Sequence, residues 1–299
     1  MNGLSRAAIL PVIQAALKED IGARDLTVSA LIPRDQQAKA EIVAHREGVI
    51  AGLPVAEMVF NTVDPKIRFK PLVKEGERVY ADKVIAFMEG SARGILSAER
   101  TALNFLGHLS GIATVTALFT EKIRGAPAKI LDTRKTTPGL RLFEKYAVAV
   151  GGGVNHRMGL FDGVLIKENH LRMVSHRTAG VFGHLSAVEE SVRVARRQSL
   201  KNTAIEIEVT TLDEFRKALA ASADIILLDN MRLNDIEEAV RIRNALFRSR
   251  KEKRILLEVS GGITLSNVRA VALSGVDRIS VGALTHSAPS LDLSLEIVG

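Results

Sequence analysis

The chain has 299 residues, 46% hydrophobic and 25% charged, and Lys+Arg 41 against Asp+Glu 34 leaves a formal charge of +7. That length and composition call for a folded chain with a sizeable core, as one large domain or two medium ones, and argue against disorder. With no cysteine, disulfides, thiolate metal centres and a cysteine nucleophile are excluded; this says little about compartment but fits a reducing cytosol, and a cytoplasmic location is expected.

In chain order, Leu4, Ala7, Ala8, Val12, Ala15 and Ala16 recur at helical spacing. The apolar run there is short and broken by Pro11 and Gln14, unlike a signal peptide. A polar turn is expected from Glu19 to Pro33, and alternation at Ala38, Ala40, Ile42 and Ala44 predicts a half-buried strand. Residues 53–63 fit a short helix, and Ile67 to Gly90 an antiparallel sheet. Ser97 to Arg124 reads as a long helix with Ser97 as N-cap. Gly107 and Gly111 inside it cost about 1 kcal/mol each, so close packing is expected there. No uninterrupted apolar stretch approaches the roughly 18 residues of a membrane span.

After Pro127 a strand–loop–helix rhythm sets in. Strands are predicted at Ala128–Leu131, Gly163–Ile166, Ala204–Val209, Asp224–Leu228, Ile255–Val259 and Arg278–Val281. Helices are predicted at Leu140–Val150, Ala187–Gln198, Leu212–Ala221, Asn234–Phe247 and Leu265–Leu273. Most of the strands look apolar on both faces, as parallel strands under helices do. Repeated βα units imply an α/β barrel or a doubly wound sheet. Six strands fall short of a complete eightfold barrel, so a barrel would be short or open. The basic run Arg241 to Arg254 is expected to be a solvated helix end and loop; only Phe247 interleaves it, against a nucleic-acid stacking face.

Ligands of barrels and open α/β sheets gather at the carboxyl ends of the strands. There the sequence places Asp132 to Gly139, Lys167 to His170, Asp229-Asn230, Ser260-Gly261-Gly262 and Gly282-Ala283. Arg134, Lys135 and Lys167, with His156 and Arg157 nearby in sequence, form a cationic set suited to carboxylates and pyrophosphate. Ser260–Gly262, read as opening a helix, and Gly282 are expected to cradle a phosphate. Glu206 and Glu208 share one strand face and, with Asp229, could hold Mg²⁺, accept hydrogen bonds from a sugar diol, or pair with the basic rim. Gly151-Gly152-Gly153 permits a close backbone approach or positive φ. His108, His170, His176 and His184 lack metal-ligand spacing, and no Ser-His-Asp order, HExxH or Walker sequence occurs. These parts point to a phosphorylated sugar meeting an acidic partner, with catalysis by positioning and electrostatics. Phosphoribosyl transfer fits; an aldolase or isomerase fits the bare list too.

The run DTRKTTPGLRLFEKYAVAVGGGVNHRMGLFDGVLIKENH (Asp132 to His170) resembles the quinolinate phosphoribosyltransferases, and EDIGARDLT, SAERTALNFLGHLSGIAT, IEIEV, ILLDN, EVSGGI and VGALTHSAPSLDLSLEI extend the resemblance along the chain. One departure is Arg24, where members often carry Gly before Asp-Leu-Thr. The resemblance implies an α/β fold: an open, seven-stranded α/β barrel (116–286) with an N-terminal α+β sandwich domain (1–115) that the tail, about 287–299, rejoins. It implies transfer of phosphoribose to quinolinate with Mg²⁺, releasing pyrophosphate and CO₂ and leaving nicotinate mononucleotide. Arg134, His156, Arg157 and Lys167 would take the carboxylates of quinolinate, with Arg100 reaching in from the partner of a homodimer. Lys135 would face pyrophosphate; Glu208 and Asp229 would hold the ribose hydroxyls or Mg²⁺. Lys135, Lys167, Glu208 and Asp229 would be the catalytic set. Ser260, Gly261, Gly262 and Gly282 would take a phosphate, flanked by Thr133, Val281 and Ala283. Neither nucleic acid nor a membrane is an expected partner.

Overall fold

The structure is a computed structural model that describes residues 4–178, 186–200, 203–247 and 254–298. The chain divides into two compact units: residues 1–117, 135–153 and 283–299 form the first, and 118–134 with 154–282 the second.

The first unit opens with helix α1 (Arg6–Ile21), which buries Ile9, Ile13 and Leu17 at i, i+4, i+8 spacing. The segment expected to be a polar turn contains a short helix, α2 (Leu26–Leu31). Asp25 caps it by accepting the Val28 N–H at 2.9 Å, and six residues are too few to show a helical period. Next come β1 (Gln37–Ala44), β2 (Gly48–Val49), α3 (Leu53–Val63), β3 (Arg68–Pro71), β4 (Arg78–Val79) and β5 (Lys83–Ser91). Helix α4 (Ala92–Lys122) starts five residues before the predicted N-cap. The Ser97 hydroxyl instead donates to Asp25 at 3.0 Å. By length and composition alone α4 is apolar enough to cross a membrane, but 67% of its most apolar stretch is buried inside the fold.

A four-stranded sheet runs in the order β12–β1–β5–β3, where β12 (Leu293–Ile297) is the last strand of the chain and pairs antiparallel with β1. The glycines of α4 admit the segment leading to β12. A Cβ on Gly111 would lie 2.0 Å from the Pro289 carbonyl oxygen, and one on Gly107 2.9 Å from that of Leu291. Helix α5 (Arg141–Val150) ends at the triple glycine, where both expected demands are met. Gly152 has φ +88°, and a Cβ on Gly151 would meet the Ala113 carbonyl oxygen at 2.5 Å.

The second unit is built on a six-stranded parallel sheet. Its strands are β6 (Lys129–Leu131), β7 (Val164–Ile166), β8 (Ile205–Val209), β9 (Ile225–Asp229), β10 (Leu256–Ser260) and β11 (Arg278–Ser280), each within a residue or two of its predicted bounds. Helices α6 (Glu168–Thr178), α7 (Ala187–Gln198), α8 (Leu212–Ala220), α9 (Leu233–Phe247) and α10 (Val268–Leu273) lie between them in sequence; α11 (Ala283–His286) follows β11 in the chain. The order β7–β8–β9–β10–β11–β6 returns the first strand to the side of the last, as in a barrel cut open between its first two staves. Where a seventh strand is expected, Val154 adds one parallel bridge to Leu131 of β6.

The strands are not apolar on both faces. One face carries Ile130, Ile207, Ile226, Leu228, Leu257 and Ile279, each no more than 1% exposed and contributing roughly 1.5–3 kcal/mol by burial. The other carries Glu206, Glu208, Asp229, Glu258, Ser260, Arg278 and Ser280. Register sets them in rows: Glu208, Leu227, Glu258 and Arg278 are neighbours across four strands, and Asp229 pairs with Ser260 one row nearer the carboxyl ends.

Candidate active site

The carboxyl ends of the second unit's strands hold most of the expected site. Lys167 follows β7, half exposed, with Nζ 3.7 Å from Glu208 Oε2. Its own N–H donates to His170 Nδ1 at 2.9 Å, so His170 shapes the turn into α6. Burial raises the pKa of Glu208; Lys167 opposes the rise and the charge of Asp229 adds to it. Asp229 accepts hydrogen bonds from the Ser260 hydroxyl (2.6 Å) and the Asn230 amide (2.8 Å).

Arg134 and Arg157 form a cationic pair. Burial, and then the charge of Arg134, lower the pKa of Arg157, with partial relief from Glu206 and Asp162. Arg157 Nη1 donates to the Gly163 carbonyl at 2.8 Å, while its Nε is buried with no acceptor among the described residues. Two guanidiniums held together in this way have the charge and donors to receive a carboxylate.

Gly261 and Gly262 have φ of +88° and +61°, and a Cβ on Gly261 would collide with Asn230 at 2.2 Å. The loop does not open a helix. Residues 263–267 intervene before α10, because Asn267 folds back, donating to the Gly262 carbonyl and accepting the Thr264 N–H at 2.8 Å each. The loop remains an exposed, glycine-lined backbone turn beside Asp229. Buried Val281 donates its N–H to the Leu131 carbonyl at 2.9 Å and anchors the strand end before Gly282.

Arg100, Lys135 and Ala283 belong to the first unit, whereas Thr133 and Arg134 end a segment of the second. Arg100 is exposed on α4, 3.9 Å from Glu99. The Lys135 carbonyl accepts from the Thr285 hydroxyl at 2.7 Å. Two residues on, the Thr137 N–H donates to fully buried Glu144 at 3.2 Å, and His108 approaches the same carboxylate at 3.0 Å. His108 therefore has a partner; the side chain of His176, and His184 altogether, lie outside the described residues.

Below the rim lies a cluster of which the sequence marked His156 and Glu206 but not Glu258. His156 Nε2 sits 3.1 Å from Glu206 and 3.4 Å from Glu258, at 8% side-chain exposure. Glu258, fully buried, also accepts from Ser280 (2.5 Å) and faces Arg278 at 2.6 Å. Burial pulls the His156 pKa down, but the two carboxylates outweigh it and push it up to about 9. Burial and the charge of Glu258 raise Glu206; Glu258 itself is held low, since His156, Arg278 and Ser280 outweigh its burial. The ligand atoms of His156, Glu206 and Glu258 lie within 4.8 Å of one another, close enough for a cation. The Arg278 guanidinium already supplies the positive charge there, so the cluster reads as a hydrogen-bonded network.

The basic run from Arg241 is not simply solvated. Arg243 is fully buried, pairs with Asp277 and donates to the Gly275 carbonyl. Arg254 reaches the same Asp277 at 2.9 Å, and Arg241 pairs with Glu238; residues 248–253 lie outside the described residues.

Fold and site together define a parallel α/β enzyme that handles anionic substrates at the carboxyl ends of its strands. Comparison with known proteins sharpens the class. Residues 25–110 match the N-terminal domain of quinolinate phosphoribosyl transferase, and residues 112–296 its C-terminal domain. A Mycobacterium leprae nicotinate-nucleotide pyrophosphorylase (carboxylating) is 40% identical, over 95% of each chain. A Synechocystis protein described as a probable nicotinate-nucleotide pyrophosphorylase (carboxylating) is 41% identical over 96% of this chain and 92% of its own. The solved nicotinate-nucleotide pyrophosphorylase from Francisella tularensis superimposes with a TM-score of 0.85, at 39% identity over 99% and 98% of the two chains. The chain belongs to the quinolinate phosphoribosyltransferase family.

Proposed function

We propose that the site transfers phosphoribose from phosphoribosyl pyrophosphate to quinolinate, with pyrophosphate and CO₂ leaving and nicotinate mononucleotide formed for pyridine nucleotide synthesis. The Arg134–Arg157 pair carries this reading. Joined by Lys167, it offers concentrated positive charge to a dicarboxylate. Lys135 serves pyrophosphate. The backbone of Ser260–Gly262 and of Val281–Ala283, with Thr133, cradles phosphate. Glu208 and Asp229, carboxylates on adjacent strands that sense each other's charge, accept the ribose hydroxyls.

The same oxygen-only pair suits Mg²⁺, a hard cation that favours one or two carboxylates plus substrate phosphates. Glu208 and Asp229 would hold it, and the ion would neutralise pyrophosphate charge. The chain's own residues orient the nucleophilic ring nitrogen toward the sugar and stabilise the charge that develops as each leaving group departs. After carbon dioxide leaves, the cations around the ring offset the electrons left behind.

A homodimer in which Arg100 serves the neighbouring site is part of the proposal; its support is the exposed guanidinium on α4. The break between the two family matches, at residues 110–112, supports an N-terminal domain of about 115 residues, and the pairing of β12 with β1 supports the return of the tail to it. The deciding assay supplies quinolinate labelled at the 2-carboxylate, phosphoribosyl pyrophosphate and Mg²⁺. Release of labelled CO₂ dependent on both substrates is expected; its absence would overturn the assignment, and turnover of nicotinate instead would redirect it to another pyridine carboxylate.

A further inference from the structure

Asn230 follows Asp229 at the end of β9 with φ +53°, one of three non-glycine residues with positive φ among the described residues. Asparagine tolerates this left-handed conformation, but glycine would adopt it with less strain. What asparagine adds is an amide that works in two directions. Its Nδ2 donates to Asp229 Oδ2 at 2.8 Å, and its Oδ1 fills the space that a Cβ on Gly261 would need, at 2.2 Å. The Asn230 main-chain N–H donates to the Ser260 carbonyl at 2.9 Å. The residue stands exposed, so hydrogen bonds rather than burial hold it at the rim.

These contacts close a ring between the ends of β9 and β10. The Ser260 hydroxyl donates to Asp229 Oδ1 at 2.6 Å, so each oxygen of the carboxylate carries a protein donor. A carboxylate has about four lone-pair sites, which leaves room for ligand hydroxyls or a cation. With both oxygens engaged, the carboxylate cannot rotate without breaking a bond. The same amide fixes how far it stands from the Gly261 backbone. That spacing matters to one class of ligand, a sugar phosphate, whose hydroxyls and phosphate share one short covalent frame and must be met at two places together.

We propose that Asn230 is a positioning residue, a strut that sets Asp229 and the Ser260–Gly262 loop at the spacing a phosphorylated ribose requires. It acts on phosphoribosyl pyrophosphate through Asp229 and Gly261, and not on the carboxylates of quinolinate. The inference rests on the reading of Asp229 as a ribose ligand and of the glycine loop as a phosphate cradle.

The test compares a ligand that spans both places with one that fills a single place. Full-length wild type and Asn230→Gly, which keeps the left-handed turn and removes the amide, are titrated with ribose 5-phosphate and with inorganic phosphate. In the variant, the Kd for ribose 5-phosphate should rise about ten-fold, the scale of a slightly displaced binding group, and that for inorganic phosphate by less than about two-fold. In turnover, the KM for phosphoribosyl pyrophosphate should rise by a similar factor while that for quinolinate stays within about two-fold. Equal weakening of both phosphates would mark local damage to the loop and overturn the proposal, as would unchanged ribose 5-phosphate binding. Asn230→Asp keeps the side-chain oxygen and the tolerance of positive φ but turns the donor into an acceptor facing Asp229. Ribose 5-phosphate should bind it at least as weakly as it binds Asn230→Gly, and wild-type affinity would overturn the strut. A ligand-free arm separates this proposal from the assigned activity. In a crystal structure of unliganded Asn230→Gly, the Asp229 carboxylate should turn from its place beside the loop; an unmoved carboxylate overturns the strut. A wild type that binds neither ribose 5-phosphate nor phosphoribosyl pyrophosphate overturns the assigned roles of Asp229 and the loop, and the ligand-free structure still decides whether Asn230 holds them in place.

Discussion

Two ionic groups share the inner face of the parallel sheet, and Glu208 of one stands in the same row as Glu258 of the other, two strands away. At the rim, Lys167 and Glu208 face each other at 3.7 Å with the lysine half exposed, a loose pair that water or substrate can exchange. Two strands along that row, Glu258 is sealed off and pairs with Arg278 at 2.6 Å. Residue types are similar; depth differs. Charges near solvent gain little from each other and can be recruited by an anionic ligand, whereas sealed charges depend on their partners and hold shape.

The contrast breaks first at the rim. Arg157→Ala and Lys167→Ala should each lower kcat/KM by roughly 10²–10³, about 3–4 kcal/mol of transition-state stabilisation, with the melting temperature nearly unchanged. Steady-state kinetics and a thermal melt on the same preparations check both halves. In the sealed group the balance reverses: Arg278→Ala leaves Glu258 without its cation and should lower folding stability by about 3 kcal/mol in urea titration. Gly111→Ala, which touches neither group, forces a Cβ against the Pro289 carbonyl and should cost about 1–3 kcal/mol through overpacking, with kcat retained at permissive temperature.

The pH dependence gives a graded effect. His156 is raised from the ordinary 6.5 to about 9, so its protonated form is favoured by folding. That contribution is fully present below pH 6.5 and is lost as pH rises through about 9. Urea midpoints measured across this window should fall in the wild type, and fall less in Glu258→Gln. The smallest effect belongs to an exposed pair in the first unit. Arg68→Ala, which breaks a 3.0 Å contact with Glu89 at 84% side-chain exposure, should change stability by no more than about 0.5 kcal/mol.

How much of this was legible depends on whether the signal is local. The parallel strands were, because short apolar runs ending in Gly, Asp, Lys or Ser mark both the strand and its rim. Lys167, Glu208, Asp229 and the Ser260–Gly262 loop followed, since each sits at such an end. Helix α2 was hidden: its six residues show no period, and Asp25 works both as its cap and as the partner of Ser97. The turn-back after Gly262 depends on one Asn267 side chain that bonds in two directions. The sealed group was the largest omission. His156, Glu206 and Glu258 are 50 and 52 residues apart in succession, and only strand register brings them together. A trace existed: Glu258 is a lone carboxylate inside the apolar run Leu256–Val259, and such a group must find partners.

The pairing of β12 with β1 bears on the order of events during synthesis. The first unit is assembled from three separate stretches of chain, and its sheet places Leu293–Ile297 beside Gln37–Ala44. On a ribosome, β1 therefore emerges early and waits, one side open to hydrogen bonding, until nearly the whole chain has been made. The parallel sheet of the second unit draws on two later stretches, both complete before Leu293, and can assemble while that wait continues. A nascent chain stalled just short of Leu293 is thus expected to protect residues around Ile207 and Ile226 from proteolysis before those around Ile42.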